Sequence, residues 1–508
     1  MAAEIEHKYE VPLDFAVDER IVTGGARLGE PAVHELVAVY YDTADLRLAA
    51  DRVALRQRTG GHDAGWHVKR YRAEDRDEVQ LDSGPTKGVP AAVKAEVRAI
   101  TRGGSLRPTV RMTTRRTEWP LLSAGGEVLA LVADDEVAAE LVADPAAGQR
   151  WRELEVELVT GDRALLKAVG KRLRKAGATR AAAPAKIARA LDGRWPSDAP
   201  APAGPEGSAA AVVGAYARRQ RDAIVEYDPR VRRDEPDAVH KMRVATRRLR
   251  STLRTFRPLW DRTAADELRT ELRWLAEVLG KVRDAEVMAA RLQGGLAALP
   301  TEQVVGPVAA RLTGGLTAQA AADRTVLLAA LDGRRYAALL DDLDELLAAP
   351  PTERGLRPAA RYVPQRVRWA TRKVDALLDA ADAAEAAPPR ALPLPGVLDR
   401  DTALHEARKA AKKARYAAEA AAPVGGSGAA ALVTALEELQ EVLGEHHDTV
   451  VTRDLLRTTG MQAYAAGENA FTYGVLEGVQ RSDAAGLEAR LPAARKALRA
   501  KKARSWLR

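Results

Sequence analysis

His240-Lys241-Met242-Arg243-Val244-Ala245-Thr246-Arg247-Arg248-Leu249-Arg250-Ser251-Thr252-Leu253-Arg254 decides the architecture of more than half of this chain. His240, Arg243, Arg247, Arg250 and Arg254 follow one another at spacings of 3, 4, 3 and 4, which at about 100° per residue puts them on one helical face. The pattern returns 165 positions later as His405, Arg408, Lys412 and Arg415. A second echo follows each copy, Leu279-Gly280-Lys281-Val282-Arg283-Asp284 and then Leu443-Gly444-Glu445-His446-His447-Asp448. Two echoes in the same order mean a duplicated helical unit. Lys241, Arg248 and Arg257 add charge around the first stripe, and Lys409 and Lys413 around the second; Arg254 is answered by Glu419, so the second stripe is shorter. Few acidic residues sit within the stripes to relieve like-charge repulsion, which makes an ordinary solvated face a poor account of both copies.

The 508 residues suffice for two to four domains with cores of their own. Aromatic residues make up only 4%, so Leu, Val and Ala must fill those cores, and stacking on nucleic-acid bases is disfavoured. Cysteine is absent, which excludes disulfides, thiolate zinc sites and thiol catalysis. The start, Met1-Ala2-Ala3-Glu4-Ile5-Glu6, lacks a basic and an apolar region, and no long apolar run occurs. We therefore expect no membrane association and a cytoplasmic protein. The net charge is +8; residues 1–195 hold 31 Lys and Arg against 30 Asp and Glu, and the remainder 48 against 41. The excess lies in the duplicated part and points to a polyanionic partner there.

Residues 1–190 carry strand signals at Glu4 to Lys8, Leu36 to Tyr41, Val53 to Arg58, Trp66 to Tyr71, Thr109 to Thr117, Val128 to Val132 and Arg152 to Val159, with a short helix over Arg163 to Ala176. Trp195 to Pro205 reads as a proline-stiffened linker. The expected division is 1–194, a linker over 195–206, and an all-helical 207–508 made of repeats at about 207–350 and 355–508. Helix breaks are expected near Pro229, Pro258, Pro300, Pro350, Pro388 to Pro395, Pro423 to Gly428 and Gly460.

The strands put charge on alternate positions. Glu4, Glu6 and Lys8 share a face; so do Glu153, Glu155 and Glu157, with Leu154 and Val156 opposite. Arg56 and Arg58 alternate with Leu55, Lys69 follows Trp66 and Val68, and Arg111 and Arg115 alternate with Val110 and Met112. A closed barrel with a charged lumen and an apolar exterior satisfies every strand at once. On that reading Arg111 and Arg115 face inward, and Arg116 shares the other side with Val110 and Met112.

Glu4-Ile5-Glu6-His7-Lys8 resembles the ExExK signature of the CYTH domain, the superfamily of class IV adenylate cyclases and thiamine triphosphatases. Tyr41-Asp42-Thr43, Leu55-Arg56-Gln57-Arg58, Lys69, the strand around Arg111, Asp134-Asp135, Glu153 to Glu157 and Lys186 follow in that family's order. The resemblance implies an antiparallel eight-stranded tunnel in which Glu4, Glu6, Glu153, Glu155 and Glu157 bind Mg²⁺ or Mn²⁺. Lys8 and the metal ligands Glu4, Glu6 and Glu155 would form the catalytic centre, and Arg56, Arg58, Lys69, Arg111, Arg115 and Lys186 would grip phosphates. Carboxylate clusters without cysteine suit such hard ions.

The duplicated part resembles a CHAD domain, a helical module often joined to CYTH domains. That implies two pseudo-symmetric four-helix bundles whose basic helices line a shared groove for inorganic polyphosphate. The groove residues would be His240, Lys241, Arg243, Arg247, Arg248, Arg250 and Arg254 in the first copy. Those of the second would be His405, Arg408, Lys409, Lys412, Lys413 and Arg415. The combined expectation is a polyphosphate-binding protein whose tunnel hydrolyses inorganic triphosphate, with polyphosphate granules as a place for it in the cell and no specific nucleic-acid partner. A non-catalytic granule adaptor and an organic-triphosphate enzyme, either thiamine triphosphatase or adenylate cyclase, are the alternatives. Asp284 and Asp448 have either an orienting or a packing role.

Overall fold

The computed structural model describes residues 5–12, 14–61, 63–71, 76–81, 88–183, 185–195, 204–386 and 399–508. Glu4 and the segment Pro388 to Pro395 fall outside them. The chain divides into two compact units, Met1–Pro200 and Ala201–Arg508. Among the described residues no helix is long and apolar enough to cross a membrane.

The first unit holds strands β1 (Glu6–Glu10), β2 (Arg27–Leu28), β3 (Ala32–Asp42), β4 (Val53–Thr59), β5 (Gly65–Tyr71), β6 (Arg76–Leu81), β7 (Arg107–Leu122), β8 (Val128–Leu141), β9 (Asp144–Leu158) and β10 (Thr179–Arg180). Its helices are α1 (Arg47–Ala50), α2 (Ala91–Thr101), α3 (Arg163–Lys175) and α4 (Lys186–Ala190). One antiparallel sheet runs in the order β10-β1-β9-β8-β7-β3-β4-β5-β6, with β2 on β7. β2 and β10 are two residues long, which leaves eight longer strands. β1 and β6 lie near opposite ends of this path, yet Glu6 and Lys8 of one and Glu78 and Gln80 of the other line the same cavity. The sheet therefore curls around a lumen. Among the described residues no ladder joins β6 to β1 or β10.

Both faces of this sheet are covered, and the alternation in the sequence shows why. Leu154 and Val156 of β9 point outward and pack with Tyr9 and Val132 under α3, whose Leu166, Val169 and Leu173 recur at helical spacing. The Asp162 carboxylate starts α3 by accepting from the Leu165 amide at 2.8 Å. On the inner face one end of the lumen is filled by Val110, Met112, Val137, Ala139 and Trp151 with Ile187 of α4 and Trp195. The charged lumen thus has an apolar floor. Asp42 of the Tyr41-Asp42-Thr43 motif is a structural residue: buried, it accepts from the amides of Thr43, Leu48 and Ala49 at 2.7, 2.9 and 3.0 Å and so holds α1.

The floor overturns one expectation. Along β7 the inner positions are Val110, Met112, Thr114 and Arg116, while Arg111 and Arg115 are exposed on the outside. Arg115 lies 3.7 Å from both Glu35 and Glu136 there. The expectation took the apolar side of each strand to face away from the lumen. In a curled sheet with two cores, the inner face of one strand is apolar over the floor and charged further along.

The second unit is helical: α5 (Ala209–Arg232), α6 (Ala238–Thr255), α7 (Arg262–Ala297), α8 (Val308–Asp332), α9 (Arg334–Ala348), α10 (Ala359–Ala386), α11 (Arg400–Ala420), α12 (Ala422–Ala465), α13 (Phe471–Arg499) and α14 (Lys501–Arg504). α5, α6 and α7 pack in series and have their counterparts in α10, α11 and α12; α6 and α11 touch each other across the two halves. On α6, Met242, Ala245, Leu249 and Leu253 are buried, leaving the basic positions on the other side. The break expected at Gly460 does not occur, since α12 runs through it to Ala465. A Cβ at Gly460 would lie 3.0 Å from the Tyr473 Cβ, so this glycine permits close packing of α13. Gly460→Ala is accordingly expected to lose ~0.5–1.5 kcal/mol in urea denaturation, where an unpacked helical glycine would gain up to ~1 kcal/mol.

Candidate functional site

The lumen of the first unit, about 300 Å³ in volume, is lined from all eight longer strands and α4. Its walls carry opposite charge. One wall, from β1, β8 and β9, presents Glu6, Asp135, Glu155 and Glu157; the other, from β4 and β5, presents Arg56, Arg58 and Lys69. Strand register makes this arrangement, because Glu6 lies opposite Glu157, Lys8 opposite Glu155, and Arg116 opposite Asp135.

On the acidic wall Asp135, Glu153 and Glu155 bring one oxygen each within 4.8 Å of one another. The Lys186 ammonium sits among them, 2.9, 2.8 and 2.7 Å from Asp135, Glu153 and Glu155. Arg116 grips Asp135 through Nε and Nη2 at 2.8 and 2.7 Å and reaches Glu155 at 2.7 Å. Lys8 also donates to Glu155, and the Trp151 indole donates to Glu153 at 2.7 Å. Burial opposes ionisation of Glu155, but Lys186, Lys8 and Arg116 outweigh it and hold the carboxyl well below its ordinary range. Three carboxylates are therefore neutralised by three cations. This is the condition under which buried charge is tolerated.

The basic wall is ordered by two residues to which the sequence reading gave no role. Glu78 on β6 accepts from Lys69 at 2.6 Å and bonds the buried His67 at 2.7 Å, with Arg56 at 4.0 Å. Burial raises the Glu78 carboxyl, yet its bonds to His67 and Lys69 and the nearby Arg56 bring it down to about 2. His67 is fixed on its other nitrogen by the Asp63 carbonyl at 2.7 Å. His67 and Lys69 share the inner face of β5, so alternation with Lys69 was the signal for His67. β6 gave none, being a short edge strand with charges on both faces.

In the second unit Arg243 pairs with Asp284 at 2.9 Å, and at the same position of the other copy Arg408 approaches Asp448 at 3.7 Å. Gly280 lets Arg243 come close to the next helix, since a Cβ there would lie 3.3 Å from the guanidinium; at Gly444 the Arg408 guanidinium would be 3.7 Å away, an ordinary contact. Between these pairs Arg247 and Lys412 belong to no ion pair among the described residues. Arg247 Nε and His405 Nδ1 are buried without a hydrogen-bond partner, and the His405 ring lies 4.5 Å from His447. Burial, reinforced by Arg408, Arg247 and Arg243, pushes the Lys412 ammonium down to about 7. The two stripes thus meet in one cationic cluster. Burial and the cations Arg283, Arg247 and Arg243 lower the His240 pKa against the pull of Asp237.

Other members of the stripes are committed to the fold. Glu419 is a hub that accepts from Tyr216 at 2.6 Å, Arg248 at 3.0 Å and Arg415 at 2.9 Å. Arg248 also lies over the Tyr416 ring. Lys241 sits over Tyr227, and Lys409 pairs with Glu406 at 2.8 Å. Arg250, Arg254 and Lys413 adjoin the cluster and belong to no ion pair among the described residues.

A curled antiparallel sheet around a lumen of opposed charges, followed by a duplicated helical unit with paired cationic stripes, is the architecture of a triphosphate tunnel enzyme carrying a basic helical module. Models of the CYTH domain and the CHAD domain match residues 2–191 and 215–457. The chain is 37% identical over 490 residues to the uncharacterized protein Rv2226 of Mycobacterium tuberculosis, covering 93% of this chain and 92% of that one. It belongs to the family that joins a CYTH domain to a CHAD domain. Among solved structures it is similar to PptA from Streptomyces chartreusis, with 24% identity, 56% of this chain and 98% of that chain covered, and a TM-score of 0.45. HpAC1 from Hippeastrum, described as having a dominant triphosphatase activity, shows 18% identity over 37% of this chain and 96% of its own, with a TM-score of 0.23. CYTH proteins act on triphosphates with a divalent metal, the chemistry for which the acidic cluster is suited.

The Lys412 environment makes a stability prediction whose sign follows from linkage. Its folded value of about 7 lies below the ordinary lysine value, so the folded state binds fewer protons and the penalty of a charged Lys412 is full below about pH 7 and fades as pH rises toward about 10.4. Lys412→Met should stabilise the free protein by roughly 1–3 kcal/mol at pH 6–7, with the gain vanishing near pH 10. Chemical denaturation at several pH values measures it.

Proposed function

We propose that the first unit hydrolyses inorganic triphosphate in its lumen and that the helical unit binds inorganic polyphosphate. The opposed charge of the lumen walls carries the first part: Arg56, Arg58 and Lys69 face Glu6, Asp135, Glu155 and Glu157 across one cavity. A phosphate chain needs cations along its oxygens, and hydrolysis needs a group that neutralises developing charge and orients water. The donor set on the acidic wall is carboxylate oxygen alone, which fits Mg²⁺ or Mn²⁺. Asp135, Glu153 and Glu155, with Glu6 and Glu157 beside them, would hold it. A metal there supplies Lewis acidity toward phosphate oxygens and an activated water.

The side chains do the remaining work. Arg56, Arg58 and Lys69 bind the chain and withdraw charge from it, with Glu78 and His67 fixing Lys69. Lys8, Arg116 and Lys186 keep the carboxylates ionised and are at hand to shift toward phosphate oxygens. The apolar floor closes one end of the lumen, which supports entry by a chain end and cleavage of the terminal phosphoanhydride. The modest volume, at the lower bound of small-molecule pockets, favours a short inorganic chain over a nucleotide.

For the helical unit, the supporting observation is the unpaired cluster of Arg247 and Lys412 between Arg243 and Arg408. A flexible phosphate chain is dense enough in charge to satisfy all four, and the low aromatic content of the chain, 4%, disfavours stacking on nucleic-acid bases.

Phosphate release from inorganic triphosphate, thiamine triphosphate and ATP, each with Mg²⁺ or Mn²⁺, tests the first part. Inorganic triphosphate should give the highest kcat/KM, and an organic substrate ahead of it, or no turnover of any, would overturn the reading. Glu155→Gln should lower kcat at least ~10²-fold and Arg56→Ala should raise KM, whereas Arg115→Ala should change neither by more than about two-fold. For the second part, long-chain polyphosphate should bind the full chain with an affinity that falls steeply with salt. Arg247→Glu with Lys412→Glu should remove that binding, the pair costing far more than either change alone.

A further inference from the structure

The two cationic stripes are copies in sequence but not in charge: cations of the first copy answer carboxylates of the second at both ends, Lys241 and Lys281 against Glu406 and Glu445 at one, Arg254 and Arg273 against Glu419 and Glu437 at the other. Arg254 of α6 corresponds to Glu419 of α11 in the register that aligns His240 with His405. Arg273 of α7 corresponds to Glu437 of α12 in the register that aligns Gly280 with Gly444. At both positions the first copy has a cation where the second has a carboxylate.

The structure gives these exchanges a consequence. Glu419 and Glu437 both hold Arg415, at 2.9 and 2.7 Å, and Glu419 holds Arg248 as well. In the second copy this end of the stripe is neutralised and tied into the fold. Arg250, the equivalent of Arg415, has no ion pair among the described residues, and neither have Arg254, Arg273, Lys413 or Lys373. Arg254, Arg273 and Lys373 are exposed, and Arg250 and Lys413 half-buried. Lys373 belongs to α10, which packs on α11, so the unpaired cations of the first copy are joined by two from the second, Lys373 and Lys413. Their nearness is felt electrostatically: after burial, Arg273 and Arg247 are the main influences lowering the Arg250 pKa, and Arg254 and Lys373 help burial to bring Lys413 down to about 8. Glu277 and Glu406 are the carboxylates that act against these shifts. An ordinary solvated face would have interleaved acidic partners, as the second copy does.

We propose that the bound phosphate chain leaves the central cluster on one side only, over Arg250, Arg254 and Arg273 of the first copy together with Lys413 and Lys373, and that Glu419 and Glu437 close the symmetry-related exit. This rests on the polyphosphate reading of the helical unit and gives it a direction. A chain long enough to pass beyond Arg247 and Lys412 gains the outer cations, while a short one fills the central cluster alone. The ligand class is a linear inorganic phosphate chain of more than a few units.

The test compares three full-chain proteins. They are the wild type, the double variant Arg273→Glu with Lys373→Glu, and a control, Lys501→Glu with Lys502→Glu, which alters two exposed lysines of α14 outside the proposed path. The two double variants carry the same change of charge. Binding of a chain of about a hundred phosphates is measured across a salt series. The Arg273 and Lys373 variant should bind it at least ten-fold more weakly than wild type, with a salt dependence shallower by about one unit of slope or more. The control should stay within about three-fold of wild type. Equal losses in the two variants would mean that net charge alone is at work and would overturn the one-sided path, as would an unchanged affinity for the long chain in the Arg273 and Lys373 variant. Failure of the wild type to bind long chains at all would instead overturn the polyphosphate reading itself. Matching thermal transitions of the three proteins exclude unfolding as the cause of a loss.

Discussion

The Lys186 ammonium, held by Asp135, Glu153 and Glu155 at 2.7–2.9 Å, is the interaction on which the first unit turns. Register brings the three carboxylates together on β8 and β9, and without a cation among them the inner wall of the sheet would carry uncompensated buried charge. Such charge costs several kcal/mol for each ion. Lys186 comes from α4, the same short helix that packs Ile187 into the apolar floor. Burial of the floor and neutralisation of the wall are therefore one structural event. The lumen is kept charged, as phosphate chemistry requires, by a residue anchored in the part of the core that is least polar.

The helical unit solves the like-charge problem differently. There the cations are spread over two helices that touch, and only some receive partners. Arg243 and Arg408 are held by Asp284 and Asp448, and Arg248 and Arg415 by Glu419. Arg247 and Lys412 are left in the middle, with Lys412 shifted far from its ordinary value by burial and by its neighbours. The two units share a principle: charge is concentrated where a polyanion can relieve it, and fixed by oppositely charged residues wherever it serves the fold.

Much of this was legible in the sequence. Spacings of 3 and 4 required the helical stripes, and their return with the Leu-Gly and Asp echo required a duplication, because one helical face has one periodicity whatever it packs against. Alternation on Glu6 and Lys8, on Glu153, Glu155 and Glu157, and on Arg56 and Arg58 marked the inner faces of β1, β9 and β4, because successive side chains of a strand must point to opposite sides. What periodicity leaves open is which of two faces is the inner one. For β7 only the tertiary structure decided it: the apolar floor puts Val110 and Met112 inside, and Arg116 with them, so that Arg111 and Arg115 face outward. Partners distant in sequence were also beyond reach. Nothing local to Glu78 shows that it will lie against His67 and Lys69, and nothing local to Glu419 shows that it will gather Tyr216, Arg248 and Arg415. The sequence by itself determined the faces of the elements and the charges they carry, since these depend on backbone geometry alone. The pairing of those charges, and hence which cations remain for a ligand, was decided only by how the chain closes on itself.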